Sequence, residues 1–190
     1  MKYILSLILF GVSIVLSQDI PLSVKKKLDA NFHDWKLRPE HVNNPCDTLG
    51  PLQAGYKTFY RCNLNGDSIT DFAIAILAKK NSIIDEYYLA LVSLNSSLEL
   101  FVLNKTTNGK GVGERIMYVP DAGAKMPYYG SSDSEIIESY GKVGSGDDNS
   151  IEFPVAIVVL EPLCEKTWKV VESPGYVFYK NRFIDFGTAD

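Results

Sequence analysis

The feature that most constrains the fold is an uninterrupted apolar run from Phe72 to Ala78. Successive side chains of a strand point to opposite faces of a sheet. A strand that is apolar on both faces has to be covered on both sides. The run is therefore predicted to be the central strand of a sheet, with other parts of the chain packed against each face.

A polar loop, residues 63–71, leads directly into this run and contains an Asn-Gly turn. Oxygen-bearing groups at alternate positions can gather around a hard cation such as Ca²⁺. Two carboxylates are few for such a site, which predicts weak binding with a dissociation constant of about 10⁻⁴ to 10⁻³ M. A plain polar turn is the alternative, because Asn and Asp favour turns without any metal. The candidate calcium ligands are Asn63, Asn65, Asp67, the Ile69 carbonyl and Asp71.

An amphipathic helix is predicted before the loop, from about Pro21 to His33. Pro21 suits the first turn of a helix, where its missing N–H leaves no hydrogen bond unmade. Val24, Leu28 and Phe32 recur at a spacing of four residues and form one apolar stripe. We expect this stripe to pack on the sheet.

Most of the chain after residue 56 has the composition of strands, which are separated by long loops rich in Gly, Pro and Ser. Together with the helix, this order predicts one α+β domain over residues 18–190: an N-terminal amphipathic helix packed on a mainly antiparallel β-sheet. Two hairpins are expected, one joined by Asn95-Ser96-Ser97 and one joined by Lys180-Asn181.

Residues 1–17 have the pattern of a signal peptide. Lys2 is followed by the apolar stretch Ile4 to Leu16, and Val15-Leu16-Ser17 fits the cleavage rule, so the mature chain would start near Gln18. An uncleaved anchor is the alternative, but the stretch is shorter than the roughly 18–20 residues that span a bilayer. The protein is expected to be periplasmic or secreted, with no membrane span after cleavage.

Charge and cysteine content narrow the functional classes further. Lys2 is the one charged residue of the leader, so the rest has 18 Lys and Arg against 23 Asp and Glu, a net charge of −5. Nucleic-acid binding needs a basic face and is not expected. In an oxidising compartment two of the three cysteines should pair. Cys46–Cys62 is the predicted disulfide, worth roughly 3 kcal/mol through loop closure, and Cys46–Cys164 is the alternative.

The loop resembles the D-x-N-x-D-G-x-x-D calcium loops of FG-GAP and VCBS repeats. Asn65, Asp67 and Asp71 match that pattern, Asn63 replaces its first Asp, and Ser68 replaces a glycine. The chain has the loop once, so no propeller is inferred.

A wider likeness covers most of the mature chain, which is similar to uncharacterised secreted bacterial proteins. It consists of a helix pattern, one such loop and strand, and an aromatic hairpin near the end. The likeness implies export and an α+β fold, and no known activity. The residues that carry it are Pro21, Val24, Leu28, Phe32, Trp35 and Leu37 in the helix region, and Tyr176 to Tyr179, Phe183, Ile184 and Thr188-Ala189-Asp190 near the end.

No residue is assigned to catalysis or to an organic cofactor. His33 and His41 are the two histidines, and they lack the H-E-x-x-H spacing of a zinc site. Cys164 has no base that can be assigned to it. The leading interpretation is a non-enzymatic exported domain that binds a protein or envelope partner, stabilised by one weak Ca²⁺. A small secreted hydrolase and a periplasmic inhibitor-like protein are the alternatives.

Overall fold

The computed structural model describes one helix and eleven strands. The helix α1 spans Leu22–Asn31. The strands are β1 (Lys36–Leu37), β2 (Phe59–Cys62), β3 (Asp71–Lys80), β4 (Ile83–Leu94), β5 (Ser97–Thr107), β6 (Ile116–Tyr118), β7 (Lys125–Pro127), β8 (Ser150–Glu152), β9 (Ala156–Leu160), β10 (Ser173–Tyr179) and β11 (Arg182–Thr188). The described residues are 19–39, 57–80, 82–107, 116–120, 125–127, 150–152, 156–160 and 173–188.

The larger sheet is antiparallel and is centred on β3 and β4. One side of β3 pairs with β4, and its other side pairs with both β1 and β2. The residues from Asp71 to Ile76 are all buried. The prediction of a central strand covered on both faces is therefore confirmed for Phe72–Ala78.

β1 and β2 lie end to end along β3 and meet at Ala75. The Arg38 amide donates to the Ala75 carbonyl over 3.0 Å, and the Ala75 amide donates to the Thr58 carbonyl over 2.8 Å. Ala75 of β3 therefore bonds both segments: its carbonyl accepts from the first segment, and its amide donates to the second. β1 and β2 therefore occupy successive positions along the same side of β3, and residues 38–58 separate them in the sequence.

A second antiparallel sheet has the strand order β11-β10-β9-β6, and β7 pairs with β8 separately. Tyr176 and Phe178 of β10 belong to the same buried cluster as Tyr88 and Ala90 of β4. The second sheet therefore covers one face of the larger sheet. The hairpin predicted at Lys180-Asn181 is confirmed, because Tyr179 and Arg182 are paired across it.

The helix α1 lies over the opposite face of the larger sheet. It contributes two buried side chains, Val24 and Leu28, to a cluster with Ile74 and Leu89. It ends two residues earlier than predicted, since Phe32 is extended (φ −130°).

The predicted α+β class is wrong: the fold is mainly antiparallel β. Most of the described residues belong to strands, and one ten-residue helix accompanies them. The prediction from the sequence placed all strands in one sheet, with the helix packed on it. In the structure β6, β9, β10 and β11 form a separate sheet that covers the face left bare by the helix, because a central strand apolar on both faces needs cover on both.

Candidate functional site

The 63–71 loop is organised by side-chain oxygens that accept backbone hydrogen bonds within the loop. Asn63 Oδ1 accepts from the Gly66 amide (2.8 Å), Asn65 Oδ1 from the Asp67 amide (3.1 Å), and Asp67 Oδ1 from the Ile69 amide (2.8 Å). Such local bonds are the reason Asn and Asp favour turns. They fix the path of the backbone and leave the carboxylate of Asp67 at the surface.

Asp71 has a different environment from the rest of the predicted calcium set. It is fully buried, and its Oδ2 accepts from the amides of Leu64 (2.7 Å) and Asn65 (3.4 Å). Its Oδ1 accepts from the Ser93 amide over 2.8 Å. Burial raises the pKa of this carboxyl above its ordinary value, and the three amide donors oppose that rise. Asp71 thus joins the loop to the end of β4.

The oxygens of the loop are not saturated by these hydrogen bonds. The accepting oxygens of Asn63, Asn65 and Asp67 each have a second lone pair beyond the hydrogen bond described. The Asn65 amide nitrogen, however, donates to Asp67 Oδ2 over 2.8 Å and to the Ser93 carbonyl over 3.0 Å. This amide group already offsets part of the negative charge on Asp67 that would attract a cation. The structure brings all five predicted residues into one loop, but Asp71 stands behind the loop and not at its surface.

Cys62 lies beside this loop and has no disulfide partner among the described residues. Its Sγ lies 3.8 Å from the Asp71 carbonyl oxygen. Burial raises the pKa of the thiol to about 12, and the neighbouring Asp71 charge adds to the shift, while a hydrogen bond from the Ala73 backbone opposes it. The thiol is therefore protonated at neutral pH. Cys46 and Cys164 lie outside the described residues, so the Cys46–Cys62 disulfide stays a prediction.

A group of buried polar side chains, not predicted from the sequence, lies on the face of the larger sheet that packs on the second sheet. Arg38 Nε lies 2.5 Å from Glu86 Oε1, and their side chains are 3% and 0% exposed. The Tyr88 hydroxyl donates to the same Glu86 oxygen over 2.5 Å. Arg38 directly follows the last residue of β1. The alternation Glu86-x-Tyr88 in a strand was the available signal, since residues two apart share a face.

A second group of polar side chains lies on the face of the larger sheet that α1 covers. Asp85 Oδ2 lies 2.9 Å from Lys105 Nζ and accepts from the Tyr87 hydroxyl over 3.2 Å. Lys105 Nζ also lies 5.4 Å from the centroid of the Tyr87 ring. The hydrogen bond from Lys105 is the main reason that the pKa of Asp85 is lowered, although burial works against the shift.

An open depression of about 450 Å³ lies at the C-terminal end of α1 and was also missed by the sequence analysis. His33 lines it, with a side chain 90% exposed and its Nε2 3.7 Å from Asp34 Oδ2. His41 lies outside the described residues. The full lining is Lys25, Asp29, Phe32, His33, Asp34 and Trp35.

Comparisons with known proteins add no further assignment. No family model matches the chain, and neither a curated protein nor a solved structure matches it. Among the described residues there is no group of three or more His, Cys, Asp or Glu side chains placed to hold a metal ion. The described part of the chain also contains no helix that is long and apolar enough to cross a bilayer.

Proposed function

We propose that this protein is an exported, non-enzymatic binding domain of the cell envelope or the extracellular space, and that one weakly bound Ca²⁺ stabilises its 63–71 loop. The observation that carries the calcium proposal is the set of oxygens on Asn63, Asn65 and Asp67. The loop holds them in place through backbone hydrogen bonds, and each keeps a lone pair. The Ile69 carbonyl and water would complete the coordination that Ca²⁺ prefers.

The non-enzymatic part of the proposal is supported by how the described reactive groups are used. Glu86 is fully buried and is held by Arg38 and Tyr88. The Cys62 thiol has a pKa of about 12 and is a poor nucleophile at neutral pH. Export is supported by the leader pattern of residues 1–17.

Calcium binding can be tested by thermal unfolding in Ca²⁺ and in chelator. A ligand at 100 times its dissociation constant stabilises the folded state by about 2.7 kcal/mol. We expect 10 mM Ca²⁺ to raise the midpoint temperature of unfolding of the wild type. The same concentration of Mg²⁺ should leave it unchanged. Asp67→Asn should abolish the shift, because it removes the exposed carboxylate of the loop. Asp185→Asn makes the same charge change at an exposed position of β11 and should keep it.

A midpoint that is the same in 10 mM Ca²⁺ and in chelator would refute the calcium proposal. Export is tested separately, by expressing the full chain in a Gram-negative host and fractionating the cells. We expect the mature protein, starting near Gln18, in the periplasm or medium. Full-length protein retained in the cytoplasm would contradict export.

A further inference from the structure

The depression beside α1 combines two aromatic rings with two carboxylates. Phe32 and Trp35 are half-buried and form its apolar part, while Asp29 and Asp34 are exposed at its rim. The Phe32 ring packs against Tyr87 with a centroid distance of 4.9 Å, and Trp35 Nε1 donates to Asp29 Oδ1 over 2.8 Å. Each ring therefore has a partner that positions it beside the depression.

The charge at this end of the helix is opposite to the usual arrangement. The C-terminal end of a helix carries a partial negative charge and favours cations. The last turn of α1 instead contains Asp29 and no basic residue. Asp29 has no ion-pair partner in the described part of the chain. The helix end, Asp29 and Asp34 together make a local excess of negative charge that a bound cation would relieve.

We propose that this depression binds an organic cation, an alkylammonium or alkylguanidinium group. Asp29 and Asp34 would contact the charge, and the faces of Phe32 and Trp35 would take the cation and its alkyl chain, as aromatic rings do in other cation sites. This inference rests on the proposed binding function and names the chemistry of its ligand.

Lys25 provides an internal check on the sign of the charge. It lies one helical turn before Asp29 and lines the same depression. Its ammonium group repels an incoming cation and would attract an anion. Removing this charge should therefore strengthen the binding of a cation and weaken the binding of an anion.

The test follows the indole N–H signal of Trp35 by NMR, because that group bonds Asp29 directly. The signal is assigned by its loss in Trp35→Phe, since the chain has two tryptophans. The probes are agmatine, N-acetyl-arginine amide and the neutral N-acetyl-citrulline amide. We expect saturable shifts with the first two probes and none with the third. Tighter binding of the arginine amide indicates a partner polypeptide, and tighter binding of agmatine indicates a free amine.

Three variants complete the test. Asp29→Asn keeps an oxygen to accept from the Trp35 indole and should weaken binding about three- to fivefold, the size expected for one exposed ion pair. Lys25→Gln should strengthen it about twofold, and Asp185→Asn should leave it unchanged. Equal shifts with the citrulline probe, unchanged binding in Asp29→Asn, or weaker binding in Lys25→Gln would overturn the inference. Leu64 of the 63–71 loop belongs to the buried cluster on the face of the larger sheet opposite α1. A negative result with these cation probes therefore leaves the calcium and export tests unaffected.

Discussion

Asp71 matches the calcium-loop motif in the sequence but has a different role in the structure. In the sequence it is the last acidic position of a calcium-like loop. In the structure its two oxygens accept from three backbone amides on two segments of the chain. A buried backbone amide without an acceptor destabilises a protein considerably. Asp71 is therefore first of all the residue that joins the loop to β4.

Replacing Asp71 by Ala is expected to destabilise the protein whether or not calcium is present. The variant leaves the amides of Leu64, Asn65 and Ser93 without their acceptor, which should lower the free energy of unfolding by about 3 kcal/mol. Urea unfolding in chelator measures this directly. Asp67→Ala, at an exposed position of the same loop, should cost less than about 1 kcal/mol. Equal losses in the two variants would contradict the distinction between them.

The ion pair between Asp85 and Lys105 predicts a pH dependence of stability. Because folding lowers the pKa of Asp85, its carboxylate stabilises the folded state above the ordinary Asp value of about 4. This contribution is lost as the pH falls through the lowered value of the folded state. We expect Lys105→Met to be less stable than the wild type at pH 7, and the difference to shrink below about pH 4.

Urea unfolding of both proteins between pH 7 and pH 3 checks this expectation. Lys36→Met removes a lysine from an exposed position that has no described ion pair, and it should show no such convergence. A wild-type advantage over Lys105→Met that stays constant across the range would contradict the pH prediction.

Cys62 is expected to be unreactive in the folded protein. Its pKa of about 12 leaves almost no thiolate at pH 8. In a Cys46→Ser, Cys164→Ser background, iodoacetamide should label Cys62 slowly in buffer and rapidly in urea, as followed by mass spectrometry. In the wild type, a need for reductant before Cys62 can be labelled in urea would place this residue in a disulfide, as predicted from the sequence.

At the scale of elements, both confirmed hairpins have two-residue turns in the left-handed region. Asn95 and Ser96 have φ values of 47° and 66°, and Lys180 and Asn181 have values of 47° and 63°. Two-residue turns of this kind match the twist of the adjoining strands. The first loop is one residue shorter than the predicted Asn95-Ser96-Ser97, because Ser97 pairs with Leu94 and belongs to β5.

Glycine at position 96 is expected to stabilise the β4–β5 hairpin. The left-handed conformation is unfavourable for serine and free of this penalty for glycine. After allowing for the greater freedom of glycine in the unfolded chain, Ser96→Gly should gain about 0.5–1 kcal/mol in urea unfolding. Ser97→Gly removes a hydroxyl that donates to the Leu94 carbonyl over 3.0 Å, and it should destabilise. A loss of stability in Ser96→Gly would contradict the turn assignment.

At the scale of the whole molecule, aromatic rings join the two sheets. Phe101 of β5 lies 5.7 Å from Phe178 of β10 and 5.3 Å from Phe183 of β11, measured between ring centroids. The Asn104 side-chain amide donates to the Tyr176 hydroxyl over 3.1 Å, and the Tyr60 hydroxyl donates to the Met117 carbonyl over the same distance. Contacts of this kind make one cooperative core from two sheets.

A double-mutant cycle between Phe101 and Phe178 should measure this connection. The two rings belong to different sheets, and edge-to-face pairs are worth about 0.5–1.5 kcal/mol beyond the area that they bury. We expect a coupling of that size between Phe101→Leu and Phe178→Leu in urea unfolding. The pair Leu28→Ala and Phe178→Leu, on opposite faces of the larger sheet, should show additive effects. A coupling near zero for the two Phe residues would contradict the packing of the sheets.

The elements with strong local signals were the ones that could be predicted. The central strand, the two hairpins and the helix around Val24 and Leu28 depend on apolar patterning or turn residues within about ten positions. The division into two sheets was not predictable in this way, because strands of either sheet alternate alike. For the same reason the pairing of Arg38 with Glu86 was missed: the two residues lie 48 positions apart and meet only across β3.

By itself the sequence determined the central strand, the turns and the polar loop that leads into β3, because local chemistry fixes each of them. Only the tertiary structure decided that a second sheet covers one face and that the edge strand is interrupted at Ala75. It alone placed Asp71 behind the loop and brought Arg38 to Glu86. These features depend on which distant segments share the buried space, and no local pattern carries that information.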